Sequence, residues 1–227
     1  MDHVEEQGAS VVLVGNFNPA IFNPDWLFGQ EILPKAKSKP TIQVIHPEVA
    51  QFEIDGLRFE ILPDRFTLTG LNEPFVRVAD VVADLFGEKL RHTPITTLVI
   101  NYFAHFRVAG RQQQMAFGRA LAPISPWGDW GRSLEGNSEA TAGGLATLSM
   151  QTVAPPGRKS GHAMVTIQPS ARLPKGVGVF MLHNDQFGPL EGKDKPDFAE
   201  LCLKEFVPSL HRARTILQHF IDFSRRL

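Results

Sequence analysis

The stretch ITTLVINYFAHFRV, residues 95–108, is the longest strongly apolar strand-like run in the chain, and its reading decides how everything around it is placed. Alternation sets Thr96, Leu98, Ile100, Tyr102, Ala104, Phe106 and Val108 on one face, and Ile95, Thr97, Val99, Asn101, Phe103, His105 and Arg107 on the other. The first face is core. The second is apolar at its start and polar toward its end, the pattern of a strand covered on both sides at first whose far end emerges at a rim. There Asn101, His105 and Arg107 meet solvent or a ligand. Such a run belongs at the centre of a sheet.

Working outward on the N-terminal side, residues 11–17 (VVLVGNF) read as a short buried strand, with residues 1–10 as a loose arm before it. Asn23, Pro24 and Asp25 make a helix start, since Asn caps, Pro suits the first turn and Asp suits the dipole. Lys35, Lys37 and Lys39 form a solvated connection, and Thr41 begins a further strand. Asp55-Gly56 suits a type I′ turn. Placing Ile54 opposite Leu57 also sets Phe52 opposite Phe59, Ala50 opposite Ile61, and Glu53 opposite Arg58, so aromatic and charge pairs support one register. After Pro63-Asp64 the apolar parity switches to Phe66 and Leu68, read as a bulge or a break that bends the second arm. Residues 73–90 then take a helical period, with Phe75, Val78, Val82, Leu85 and Phe86 on one stripe.

On the C-terminal side, Gly110 leads into a short helix, RQQQMAFGRALA, which Gly118 weakens. Residues 123–144 are rich in Pro, Gly, Ser and Asn without period, a long connection in which Trp127 and Trp130 argue for partial order. Strands are expected at 145–153, 162–167 and 177–183. Residues 196–227 form a long helix, or a pair hinged at Pro208, with Leu203, Phe206, Leu210, Ala213, Leu217, Phe220, Ser224 and Leu227 as an apolar stripe suited to lie across a sheet. The expected fold is α+β: an antiparallel or mixed sheet of about six or seven strands, with the helices, including the long C-terminal one, packed on one face. One domain, 1–227, accommodates this; halves at 11–122 and 145–227, joined by the Pro/Gly/Ser-rich loop, are the alternative division.

Composition narrows the function classes. A formal net charge of −1 gives no whole-chain attraction to nucleic acid, which is not the default partner. One cysteine, Cys202, excludes an internal disulfide and a multi-cysteine zinc site. The polar, acidic opening DHVEEQGAS lacks the features of a secretory signal, and no apolar run suits a membrane span, so a cytoplasmic protein is expected.

The order of elements, the INYFAHF strand and the LHRARTILQHFIDF segment together resemble a sporadically distributed family of uncharacterised bacterial proteins of similar length. The resemblance implies a cytoplasmic, bacterial or phage-borne protein and no particular activity. Its patchy distribution is like that of mobile antiviral defence genes.

Few residues carry a chemical signature. No nucleophile elbow, P-loop, H-E-x-x-H or dinucleotide fingerprint is present. Cys202 occupies an apolar helical position, where it reads as a small core residue. Asn101 and His105 share a strand face, yet residues four apart lie roughly 13 Å apart along a strand. If the strand ending in His183, Asn184 and Asp185 neighbours the central one, His183 approaches His105, and with Asp185 the pair becomes a candidate catalytic set or divalent-metal donor set. Asn-Asp is also ordinary turn chemistry, and no metal or cofactor is assigned. Asn101, Arg107, Trp127 and Trp130 are candidate binding residues; the tryptophans, with Arg119 and Arg132 near them, could stack on bases or enter a partner groove, and the mixed charge of the flanking sequence fits a protein partner better than nucleic acid. The leading expectation is a non-enzymatic protein-binding or assembly subunit that acts through a protein partner or through self-association. The alternatives are a hydrolase or small-ligand-binding protein with a His-lined cleft, and a cavity for an apolar small molecule.

Overall fold

The computed structural model describes residues 3–34, 40–136, 138, 141–153, 155, 160–189 and 197–227. The strands are β1 (Val4–Gly15), β2 (Thr41–His46), β3 (Val49–Ile54), β4 (Leu57–Leu62), β5 (Arg65–Gly70), β6 (Ile95–Arg107), β7 (Leu148–Val153), β8 (His162–Pro169) and β9 (Gly178–Phe187). They form one sheet in the order β2-β3-β4-β5-β1-β6-β9-β8-β7, and every neighbouring pair is antiparallel. Among the described residues the sheet therefore has 9 strands rather than six or seven, and no parallel pair. It runs unbroken across segments 11–122 and 145–227, because β6 pairs directly with β9.

Two local readings differ from the structure, and the first of them adds a strand. The parity switch at Pro63-Asp64 is a second two-residue hairpin: Leu62 faces Arg65, Ile61 faces Phe66, and Phe59 faces Leu68. A chain that reverses over two residues pairs odd positions with even ones, so the switch marks a reversal and not a bend. The expected loose arm is also strand. β1 begins at Val4 and occupies the middle of the sheet between β5 and β6. Its first half escaped notice because its polar side chains have polar partners: Glu5 pairs with Arg107 at 2.7 Å, and Gln7 accepts from the Tyr102 hydroxyl at 2.5 Å.

The Asp55-Gly56 hairpin matches its expected register at every pair, and both turn residues have positive φ, 49° and 73°. Phe52 and Phe59 stack at 4.8 Å, and Arg58 reaches Glu53 at 3.3 Å on the opposite face.

The helices are α1 (Pro24–Gly29), α2 (Val76–Ala83), α3 (Arg111–Leu121), α4 (Gly128–Ser133) and α5 (Phe198–Ser224). α2 runs on into a wider π turn at Asp84–Lys89. α5 is one helix of 27 residues that passes through Pro208 without a break. Pro208 lies on its exposed side, where the carbonyl it leaves unbonded can turn to water. Asp197 caps α5, accepting from the backbone N–H of Ala199 at 2.7 Å and of Glu200 at 3.2 Å. The buried stripe is rotated at both ends from the one expected, since Cys202 and Ile221 face inward while Leu203 and Leu227 are exposed.

All of these contacts fall on the Leu98, Ile100, Tyr102, Ala104 and Phe106 side of β6. Phe75, at the start of α2, meets Tyr102 edge-on at 6.4 Å; Phe117 of α3 meets Phe106 at 6.2 Å and Phe220 of α5 at 6.0 Å. A second aromatic group, in which Phe66 meets Phe22 at 5.7 Å and Phe86 at 4.9 Å, fills the end nearest β4 and β5. The opposite sheet face carries none of the described helices.

Candidate functional site

The β6–β9 register decides the fate of the histidine pair. Tyr102 is opposite His183, and His105 is opposite Phe180. Directly opposed residues of an antiparallel pair project to the same side. His183 thus lies on the helix side with Tyr102, and His105 lies on the helix-free side. The strands are neighbours, as the paired reading required, but the two imidazoles are separated by the sheet itself and line no common cleft. Among the described residues, no three His, Cys, Asp or Glu side chains gather to hold a metal ion.

On the helix-free side a polar row crosses three strands. Asn101 donates from Nδ2 to Ser10 Oγ at 3.2 Å and accepts at Oδ1 from Asn184 Nδ2 at 2.9 Å. Ser10, Asn101 and Asn184 are in register, so the row is a cross-strand ladder. One end of this face is closed by His105. The Ser170 hydroxyl oxygen accepts from the backbone N–H of Arg172 at 3.1 Å and of Leu173 at 3.0 Å, which occupies its lone pairs. Its single proton is left to point at His105 Nδ1, 2.8 Å away. Nδ1 is therefore the acceptor, and the ring is neutral with its hydrogen on Nε2. Burial pushes the His105 pKa below the ordinary histidine value, with Glu6 opposing and Arg172 reinforcing the shift. His105 pins the turn after β8, and Arg107 is held by Glu5.

On the helix side, Ala213 of α5 is buried and the arginines on either side of it diverge. Arg212 donates to Asp185 at 2.6 Å and lies 3.8 Å from Glu205, while Arg214 pairs with Glu73 and lies over the rings of Phe75 and Tyr102, 5.7 Å from each centroid. Asp185 has no exposed surface, so Arg212 supplies charge compensation that burial demands. Burial raises the Tyr102 pKa, and the Arg214 cation partly offsets it. The sequence reading missed Gln7, Glu73, Arg212 and Arg214. The signal available was HRAR: a small residue that can face a sheet, with a long cation on each side of it. Cys202 is buried, its thiol pushed up to about 12 by burial and by the Asp80 carboxylate, which removes it as a nucleophile.

Trp127 and Trp130 do come together. Trp127 ends a 3-10 turn at Ser125–Trp127, and Trp130 lies in α4. Gly131 makes their pairing possible, because a Cβ there would sit 2.1 Å from the Ile124 carbonyl oxygen and 2.9 Å from the Trp127 Cβ. The ring centroids are 5.4 Å apart, and each residue remains 60% exposed. Arg132 is paired with Asp129, so the flank is not a net basic patch.

At the β7 end the helix layer stops short. A groove of about 340 Å³ opens between α5 and the strands, lined by Leu148, Met150, Val165, His183, Ile216 and Phe220. Among the described residues, β7 pairs with β8 alone. Met150 is 72% and Val153 84% exposed.

A scan against protein-family models finds no match to the chain, and a search of curated proteins finds none. No helix among the described residues is long and apolar enough to cross a membrane.

Proposed function

We propose that the chain is a non-enzymatic binding or assembly subunit that works through protein contacts within a bacterial or phage-borne multi-protein system. The observation that carries this reading is the pair of exposed indoles at Trp127 and Trp130, packed against one another on a glycine-tightened turn. Two large aromatic surfaces left in water are unfavourable unless something covers them, and tryptophan is the residue most enriched where binding energy concentrates. Arg132 on their flank is paired with Asp129, which favours a protein partner over nucleic acid. The bacterial setting, and a role in antiviral defence within it, are supported by the resemblance of the INYFAHF and LHRARTILQHFIDF segments alone.

The test is co-purification from the native host with tagged wild-type protein and a Trp127→Ala/Trp130→Ala variant. The wild type is expected to bring down one companion in fixed stoichiometry and the variant to lose it, with thermal unfolding unchanged because both indoles are on the surface. Recovery of the wild type without a companion, or equal capture by the variant, would count against the reading.

A further inference from the structure

Among the described residues the sheet ends at β2 and β7, and these two edges are guarded unequally. β2 is flanked by Pro40 and Pro47, and its pairing with β3 slips between Ile42 and Val44. Prolines and bulges are the usual means by which an edge strand refuses a further partner. β7 has neither. Its sequence, LSMQTV, contains no proline and no charge, and its register with β8 is continuous from Leu148 opposite Ile167 to Val153 opposite His162.

The geometry points to β7 as a self-association edge, along which a second copy of this chain adds its own β7 antiparallel to form one continuous sheet. This rests on the reading of the chain as an assembly subunit and names one of the partners. Three features of the strand fit a second copy. A two-fold axis that pairs two antiparallel copies of one strand runs perpendicular to the sheet, so every residue meets one from its own face. Centred on Met150, that axis sets Met150 against its own copy, Ser149 against Gln151, and Leu148 against Thr152. No pair repels, because the strand carries no charge to meet its like. Second, Met150 is exposed on the helix side, where the helix layer stops short, and it lines the groove between α5 and the strands. The two methionines would meet there and join the two grooves across the axis, using the adaptable packing of an unbranched side chain. Third, head-to-tail pairing of β7 with β2 would give an open fibre, and the guarded β2 edge disfavours it, leaving the closed pair.

One six-residue strand buries less surface than the roughly 1,200 Å² of a stable complex, so the dimer is expected to be reversible, with a dissociation constant of micromolar order. Sedimentation velocity on the intact chain, from about 1 to about 200 µM, reads it directly. The wild type is expected to shift from monomer to dimer across that range. Met150→Lys, which puts two ammonium groups face to face at a position exposed in the monomer, should remain monomeric throughout with unchanged thermal unfolding at low concentration. Met150→Cys should form an interchain disulfide on mild oxidation, whereas Thr152→Cys should not; the buried Cys202 does not compete. A wild type that stays monomeric to the top of the range overturns the proposal, as does a dimer that Met150→Lys leaves intact. Tightening of the groove around added decanol without dimerisation would also overturn it, in favour of a small apolar ligand. A monomeric wild type that still captures a companion through Trp127 and Trp130 would sink this inference alone.

Discussion

His105 and Cys202 show how burial can dominate the chemistry of a side chain. The neutral His105 ring accepts a hydrogen bond from the Ser170 hydroxyl, and burial lowers its pKa. As pH falls below about 6.5, the unfolded chain takes up the proton before the folded one does. The His105 contribution is therefore complete above that pH and is lost as the pH drops through the folded-state value. Urea unfolding of wild type and His105→Gln between pH 7.5 and 5 should show a steeper loss of stability in the wild type, and parallel curves would refute the assignment. Cys202 should be inert to a thiol reagent such as dithiobisnitrobenzoate in the native protein and should titrate as one thiol in denaturant; native reaction on a minute timescale would contradict its packing. The face on which His105 projects was legible from alternation within one strand. That of His183 relative to it was not, because the register between strands some 80 positions apart is set by packing and leaves no mark in the local pattern.

The β3–β4 hairpin is the element most completely written in the local sequence. Its turn residues, aromatic pair and charge pair all specify one register, and that is the register found. Gly56→Val tests the turn. The backbone there has φ +73°, and an added Cβ would lie 2.6 Å from Asn72 Nδ2, so the substitution should cost about 2 kcal/mol in equilibrium urea unfolding. A loss under about 0.5 kcal/mol would mean that the turn relaxes freely. The next hairpin used the same rule, and the parity change at Pro63-Asp64 was its trace; the proline drew attention to a break when the parity recorded a reversal. β1 was the harder case. Its Glu5, Gln7 and Ser10 look like solvated residues until the polar partners on β6 are in place, and those partners lie 91 to 102 positions away. The short helical turns around the tryptophans were hidden for a different reason: they are built on Gly128 and Gly131, residues that propensity counts against a helix.

At the scale of the whole molecule, charge and apolar surface are distributed unevenly. Arginine–carboxylate pairs at Arg212 and Arg214 join the middle of α5 to β9 and to Glu73, three residues before α2. The β7 end and the tryptophan turn keep apolar surface in water. A molecule divided in this way holds one part rigid and offers another. The place of α5 in the chain also has a consequence for biosynthesis. The sheet is complete once residue 187 has left the ribosome, yet the helix that roofs Leu98, Ile100, Ala104 and Phe106 begins only at Phe198. For that interval the nascent chain presents an oily, strand-rich slab with an unguarded edge, the species most prone to clump with its neighbours on a polysome. A chain stopped after residue 187 should therefore accumulate in inclusion bodies and, when refolded, bind an apolar dye strongly. A soluble, cooperatively melting truncation would mean that the slab can close without its roof. In the cell the burden would fall on chaperones that hold nascent chains, and the rate at which the last segment emerges would help set how much protein survives.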